Sequence, residues 1–96
     1  MNEILTKSEI NQFKKDGAIF IKGKFDTNWI EKLKEGIERD IKNPSPRFKS
    51  HTVKKDVPKY LEDYWTWDLV PEFKDFVYNS PYAKIASELM SAKKIN

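Results

Sequence analysis

Residues 62–73 read "EDYWTWDLVPEF", which packs a tyrosine, two tryptophans, a leucine, a valine and a phenylalanine into one short run. How this run is taken decides the fold. Read as a helix with Pro58 in its first turn, it puts Tyr60, Tyr64 and Trp67 on one side and Leu61 and Trp65 on another. At helical spacing such a cluster is expected to pack a core rather than to cage a ligand. A helix apolar over that much of its circumference needs cover from several directions. Pro71 breaks the run and opens a short helix bearing Phe73, Phe76 and Val77.

Towards the N-terminus, Thr6 and Glu9 have capping-box spacing, and Leu5 with Ile10 stands where a hydrophobic staple closes. A helix over Lys7–Asp16 comes next, stopped by Gly17. Ala18–Ile21, "AIFI", is short, β-branched and unalternating, which predicts a strand covered on both faces. Asp26 or Thr27 caps the next helix, whose apolar stripe is Ile30, Leu33, Ile37 and Ile41. Its outer face sets Glu35 before Arg39 and Glu38 before Lys42, the stabilising i,i+4 order. "NPSP" at 43–46 ends it, and residues 47–57 read as a basic loop. Towards the C-terminus, Ser80 and Pro81 look like an N-cap and first turn. Tyr82, Ile85, Ala86, Leu89 and Met90 stripe the last helix.

The expected fold class is therefore mainly α with one or two short strands (α+β), in one small unit of 96 residues. Three tryptophans, four tyrosines and six phenylalanines argue against disorder. The absence of cysteine excludes a disulfide framework or a thiolate metal site. Neither a signal-peptide core nor a membrane-length apolar run is present, so the expected setting is cytoplasmic. A net charge of +3 is spread along the chain and reads as solvated surface rather than a nucleic-acid footprint. One deficit stands out. A solitary buried strand leaves backbone donors and acceptors without partners, so a neighbour of the strand and of the aromatic run is missing.

Little in the chain carries chemistry by itself. His51 is the one histidine, and Val53 stands where a His-x-Asp ligand pair needs an acid. His51 therefore reads as an exposed loop residue. The glycines at 17, 23 and 36 form no phosphate loop. Glu62 with Asp63, and Glu72 with Asp75, read as solvated surface rather than acid–base pairs. Arg47, Phe48, Lys49, Lys54 and Lys55 offer phosphate contacts and a ring for RNA, but a solvated loop is the stronger reading.

Taken in order, "LTKSEINQFKKDGAIFIKGKFDTNWIEKLKEGIERDIKNPSP" resembles the opening of the phytanoyl-CoA dioxygenase family, and "EDYWTWDLVPEFKDFVYNSPYAKIASELMSAKKI" is similar to the next part of its bacterial branch. The resemblance spans nearly all of the chain except Phe48–Val57. It implies a non-haem oxygenase on a double-stranded β-helix, or jelly roll, using Fe(II) and 2-oxoglutarate to hydroxylate a small organic substrate. Two histidines and a carboxylate hold iron in such sites. In the family these ligands, and the arginine that holds 2-oxoglutarate, come after the part that residues 1–96 resemble. The chain is thus expected to be the helical front of such an enzyme, inactive alone, with no catalytic or metal residue of its own. Its partner would be the remainder of its own barrel, with no nucleic acid and no membrane. Trp65 and Trp67 are the candidates for lining the co-substrate pocket. The alternative is a stand-alone module that grips a protein partner through the aromatic face around Tyr64–Trp67.

Overall fold

Thr6 starts the first helix through a reciprocal pair of bonds. Its hydroxyl accepts the Glu9 amide at 3.1 Å, while the Glu9 carboxylate accepts the Thr6 amide at 2.9 Å, so two otherwise orphaned donors are satisfied. In this computed structural model, which describes residues 4–52, 55 and 59–95, that helix is α1, Lys7–Asp16. Gly17 ends it at φ 77°, a left-handed conformation that glycine adopts without a Cβ clash. α2, Thr27–Lys42, is capped by Asp26, whose carboxylate accepts the Asn28 amide at 2.7 Å. Then come β1, Lys49–Ser50, and β2, Leu61–Glu62, followed by α3, Pro71–Asn79, and α4, Tyr82–Met90. The described residues are mainly helical with a two-stranded antiparallel sheet, in which Lys49 pairs with Glu62 and Ser50 with Leu61.

α2 and α3 lie close together because Gly36 lets them. A Cβ placed there would stand 2.6 Å from Phe73 Cε1 and 3.0 Å from Glu72 Cβ. Beside this contact Phe76 gathers Phe25, Trp29 and Tyr82, with ring centroids 5.6, 5.9 and 5.6 Å away, spacings at which aromatic pairs attract. α4 is tied to the entry of α1 by Glu88, whose carboxylate accepts the Ile4 and Leu5 amides at 2.9 and 3.0 Å. The core is small: among the described residues only Leu5, Val70 and Ile85 are buried large aliphatics. The radius of gyration is 16.4 Å, against about 12.5 Å for a globule of this length. No helix among the described residues is long and apolar enough to cross a membrane.

Several expectations need correction. Ala18–Ile21 forms no strand, and Phe20 is 81% exposed. Among the described residues no second strand lies beside it, and an unpaired segment has no ladder to join. The sheet arises instead within the stretch read as a basic loop and its sequel, where the His51 amide also donates to the Tyr60 carbonyl at 2.7 Å. The helix expected over the aromatic run is absent too, although Pro58 itself lies outside the described residues. Leu61 and Glu62 pair as β2, and the Asp63 carboxylate accepts its neighbour's amide, Tyr64, at 2.9 Å, a local bond that competes with helix. Trp65 then turns left-handed at φ 60°. So Tyr60, Tyr64, Trp65 and Trp67 are exposed rather than packed as a core.

α2 also turns a different face inward. Trp29, Lys32, Gly36 and Arg39 meet α3, while Ile30, Ile37 and Ile41 remain about half exposed. The expected Glu35–Arg39 and Glu38–Lys42 pairs do not form. Arg39 reaches Glu72 on α3 instead, where its Nε and Nη2 donate a forked pair of bonds to the carboxylate at 2.8 and 2.9 Å. Glu72, expected at the solvated surface, is therefore only 7% exposed. Ser80 closes α3 rather than capping α4, whose cap position falls on Pro81, although its hydroxyl still accepts the Tyr82 amide at 3.2 Å.

Candidate functional site

The α2 stripe, the sheet and the start of α3 share the walls of an open groove of about 380 Å³. Ile37, Ile41, Phe48, Leu61 and Phe73 supply its apolar lining, and Asp40, Asp63, Lys59 and Thr66 its polar groups. Helical register explains Asp40. It falls three residues after Ile37 and so shares the apolar side of α2.

Two carboxyl groups meet in this groove. Asp63 accepts three donors: its Oδ2 takes the Ser45 amide at 2.9 Å, and its Oδ1 takes the Tyr64 amide and, in a short bond, the Ser45 hydroxyl. Ser45 is buried. Desolvation pulls the Asp63 carboxyl up, but the Ser45 bonds, Asp40 and the Tyr64 amide together hold it below its ordinary value. Asp40 lines the same groove, and desolvation first, then the neighbouring Asp63, push its carboxyl up to about 6. Its Oδ1 is sealed from solvent and receives no hydrogen bond among the described residues.

Beside the groove Arg47 clamps the aromatic segment. Its Nε donates to the Tyr64 carbonyl at 2.9 Å and its Nη2 to the Trp65 carbonyl at 3.2 Å. The guanidinium also stands 5.6 Å from the centre of the Tyr64 ring, within range of a cation–π attraction. A left-handed tryptophan is strained, and this fork is what holds it. Two of the residues considered for RNA contact are thereby engaged within the fold, Arg47 at these carbonyls and Phe48 in the groove. Lys54 lies outside the described residues.

Trp65 and Trp67 are not brought into one pocket. Trp65 points its ring outward, 72% exposed. Trp67 meets Tyr78 edge-on, with centroids 6.1 Å apart, and lines a separate apolar recess with Val77, Tyr82 and Ile95. His51 is exposed as expected, and its Nε2 lies 2.7 Å from Glu62. Of the acidic pairs read from sequence, Asp63, Glu72 and Asp75 each hold a structural bond instead. The Lys32 ammonium bonded to Asp75 keeps that carboxyl below its ordinary value. The Asp40–Asp63 pair escaped notice because its members are far apart in sequence. Its one local sign is a charged residue set in an apolar stripe.

Among the described residues no three histidine, cysteine, aspartate or glutamate side chains are grouped to hold a metal ion. The iron that the resemblance implies does not fit these residues. Comparison with protein-family models, with curated proteins and with solved structures gives no match to this chain.

Proposed function

We propose that this chain is the N-terminal helical part of a jelly-roll oxygenase of the phytanoyl-CoA dioxygenase kind, whose complete form uses Fe(II) and 2-oxoglutarate to hydroxylate a small organic substrate. Its own role is then to cover the outside of the barrel. The observation that carries this reading is the apolar surface left bare. Phe20, the α2 isoleucines, Tyr64, Trp65 and Leu69 are exposed in a chain with few buried aliphatics, and such extensive exposure marks a surface built to be covered. The order of motifs from Leu5 to Ile95 supplies the identity of the cover. On this reading Ala18–Ile21 joins the edge of the barrel's sheet, and Trp65 and Trp67 lie at its mouth, near the co-substrate.

The coding sequence after codon 96 tests this. The reading predicts a His-x-Asp and then a distal histidine, and succinate release from 2-oxoglutarate by the longer chain with Fe(II), abolished when the first histidine is replaced. An open frame without those ligands, or turnover by residues 1–96 alone, contradicts it. A second reading, a stand-alone protein-binding module, is favoured by one observation. The Arg47 clamp fixes Tyr64 and Trp65 in a preset, exposed arrangement, and preorganisation lowers the entropic cost of binding. A stop directly after codon 96 supports that reading over the first.

A further inference from the structure

Two recesses adjoin beside α4. The first, of about 450 Å³, is lined by Trp67, Val77, Tyr78, Tyr82 and Ile95 and has no charged side chain in its walls. The second, of about 360 Å³, is lined by Ala83, Lys84, Ser87, Lys93 and Ile95. Ile95 is a wall of both, so an apolar recess with three aromatic rings lies next to a basic one. We propose that together they form a site for a small aromatic acid anion, its ring among Trp67, Tyr78 and Tyr82 and its charge at Lys84 and Lys93. The inference stands on α3, α4 and the residues flanking them, and does not depend on the oxygenase reading.

The fold holds each wall in place. The Thr66 carbonyl accepts the Leu69 and Val70 amides at 3.1 and 2.9 Å, a turn that sets Trp67 edge-on to Tyr78 in the last turn of α3. Ser80 fixes the corner between α3 and α4, because its hydroxyl donates to the Phe76 carbonyl and accepts the Tyr82 amide. The Phe76 ring backs Tyr82, with centroids 5.6 Å apart. Ser91 then turns left-handed at φ 52°, and the Ala92 amide donates to the Ser87 carbonyl at 3.0 Å, which returns the chain so that Ile95 reaches both recesses. Rings positioned in advance lose little freedom when a ligand ring packs on them. The positive charge is likewise uncommitted. Glu88 lies four residues after Lys84, the spacing of a helical ion pair, but its carboxylate accepts the Ile4 and Leu5 amides instead. Asp68, beside Trp67, is paired with Lys74, and Asp75 on α3 with Lys32. Among the described residues no carboxylate pairs with Lys84 or Lys93. An aromatic slot with two unneutralised ammonium groups beside it favours a ring that bears a negative charge.

Chemical-shift titration of the 96-residue chain with 3-phenylpropionate tests this, read at the Trp67 indole N–H and at the amides of Tyr78, Tyr82, Lys84, Lys93 and Ile95. Saturable shifts are expected around both recesses. 3-Phenylpropionamide keeps the ring and loses the charge, and should bind about three- to tenfold more weakly. Hexanoate keeps the charge and loses the ring, and should bind about two- to tenfold more weakly. Neither lysine is buried, so Lys84→Gln and Lys93→Gln should fold. Each should weaken the aromatic acid about two- to fivefold and leave the amide unchanged, and added salt should act in the same direction. The absence of saturable shifts at millimolar probe, or saturation elsewhere on the chain, overturns the site. So does equal binding of acid and amide, or of hexanoate and the aromatic acid. Binding of 2-oxoglutarate here as tightly as 3-phenylpropionate also overturns it, and would support the oxygenase reading instead. If a lysine variant does not fold, the comparison of acid, amide and hexanoate on the unaltered chain decides the matter.

Discussion

A tryptophan held at φ 60° carries a backbone cost of about 1–2 kcal/mol relative to right-handed geometry. The protein maintains it with two hydrogen bonds from Arg47. Because the Trp65 ring is exposed, removing it sacrifices little packing, and glycine relieves the strain. Trp65→Gly should therefore leave stability in urea unchanged or raise it by up to about 1 kcal/mol. A loss of about 3–5 kcal/mol, the size expected for a packed tryptophan, would show that the ring is covered after all. This is also where sequence reading reached its limit. The Thr6–Glu9 cap was legible because every atom in it lies within one helical turn. The conformation of Trp65 depends on an arginine far back in the chain, and no local pattern announces it. Asp40 lies between these cases, since its place in the apolar stripe was visible but its partner was not.

The elements were legible to the same degree as their causes were local. α1, α2, α3 and α4 were each foreseen from caps, prolines and periodic apolar residues. What failed was the choice of face. The isoleucines of α2 define its most apolar side, yet α3 approaches where Gly36 leaves room for Phe73 and Arg39 finds Glu72. A glycine inside a helix costs about 1 kcal/mol against alanine, so its presence signals a packing reason that pattern matching overlooks. Gly36→Ala should consequently destabilise the chain by about 1–2 kcal/mol in thermal or urea unfolding, the overpacking cost exceeding the gain in helix propensity. A net stabilisation would mean that the two helices do not touch there. The aromatic run failed as a helix for a related reason. Its tyrosines, tryptophans and threonine suit extended structure, and Asp63 draws the backbone amides of Tyr64 and Ser45 to itself.

At the scale of the molecule, two opposed titrations set the pH range of stability. Asp40 is raised to about 6 in the folded chain, so its contribution is complete below its unfolded value and is lost as pH rises through 6. Asp63, Asp75 and Glu72 are held below their ordinary values, so theirs is present above those values and is lost as pH falls. Unfolding free energy should peak between about pH 4 and 6 and decline by about 1–2 kcal/mol towards pH 7.5, with Asp40→Asn removing the upper decline. A profile that rises through neutrality would contradict this assignment. The elongated shape and sparse core agree with a body that is finished by something else, and Ala18–Ile21 is where that account is most exposed to test. The sequence reads as a strand; the segment has no strand beside it among the described residues. Hydrogen exchange at the amides of Ala18–Ile21 is therefore the most direct measurement. The account predicts near-unprotected rates in the 96-residue chain and strong protection once the chain is expressed with the sequence that comes after it in its reading frame. Strong protection of these four amides in the 96-residue chain as an isolated monomer would contradict it.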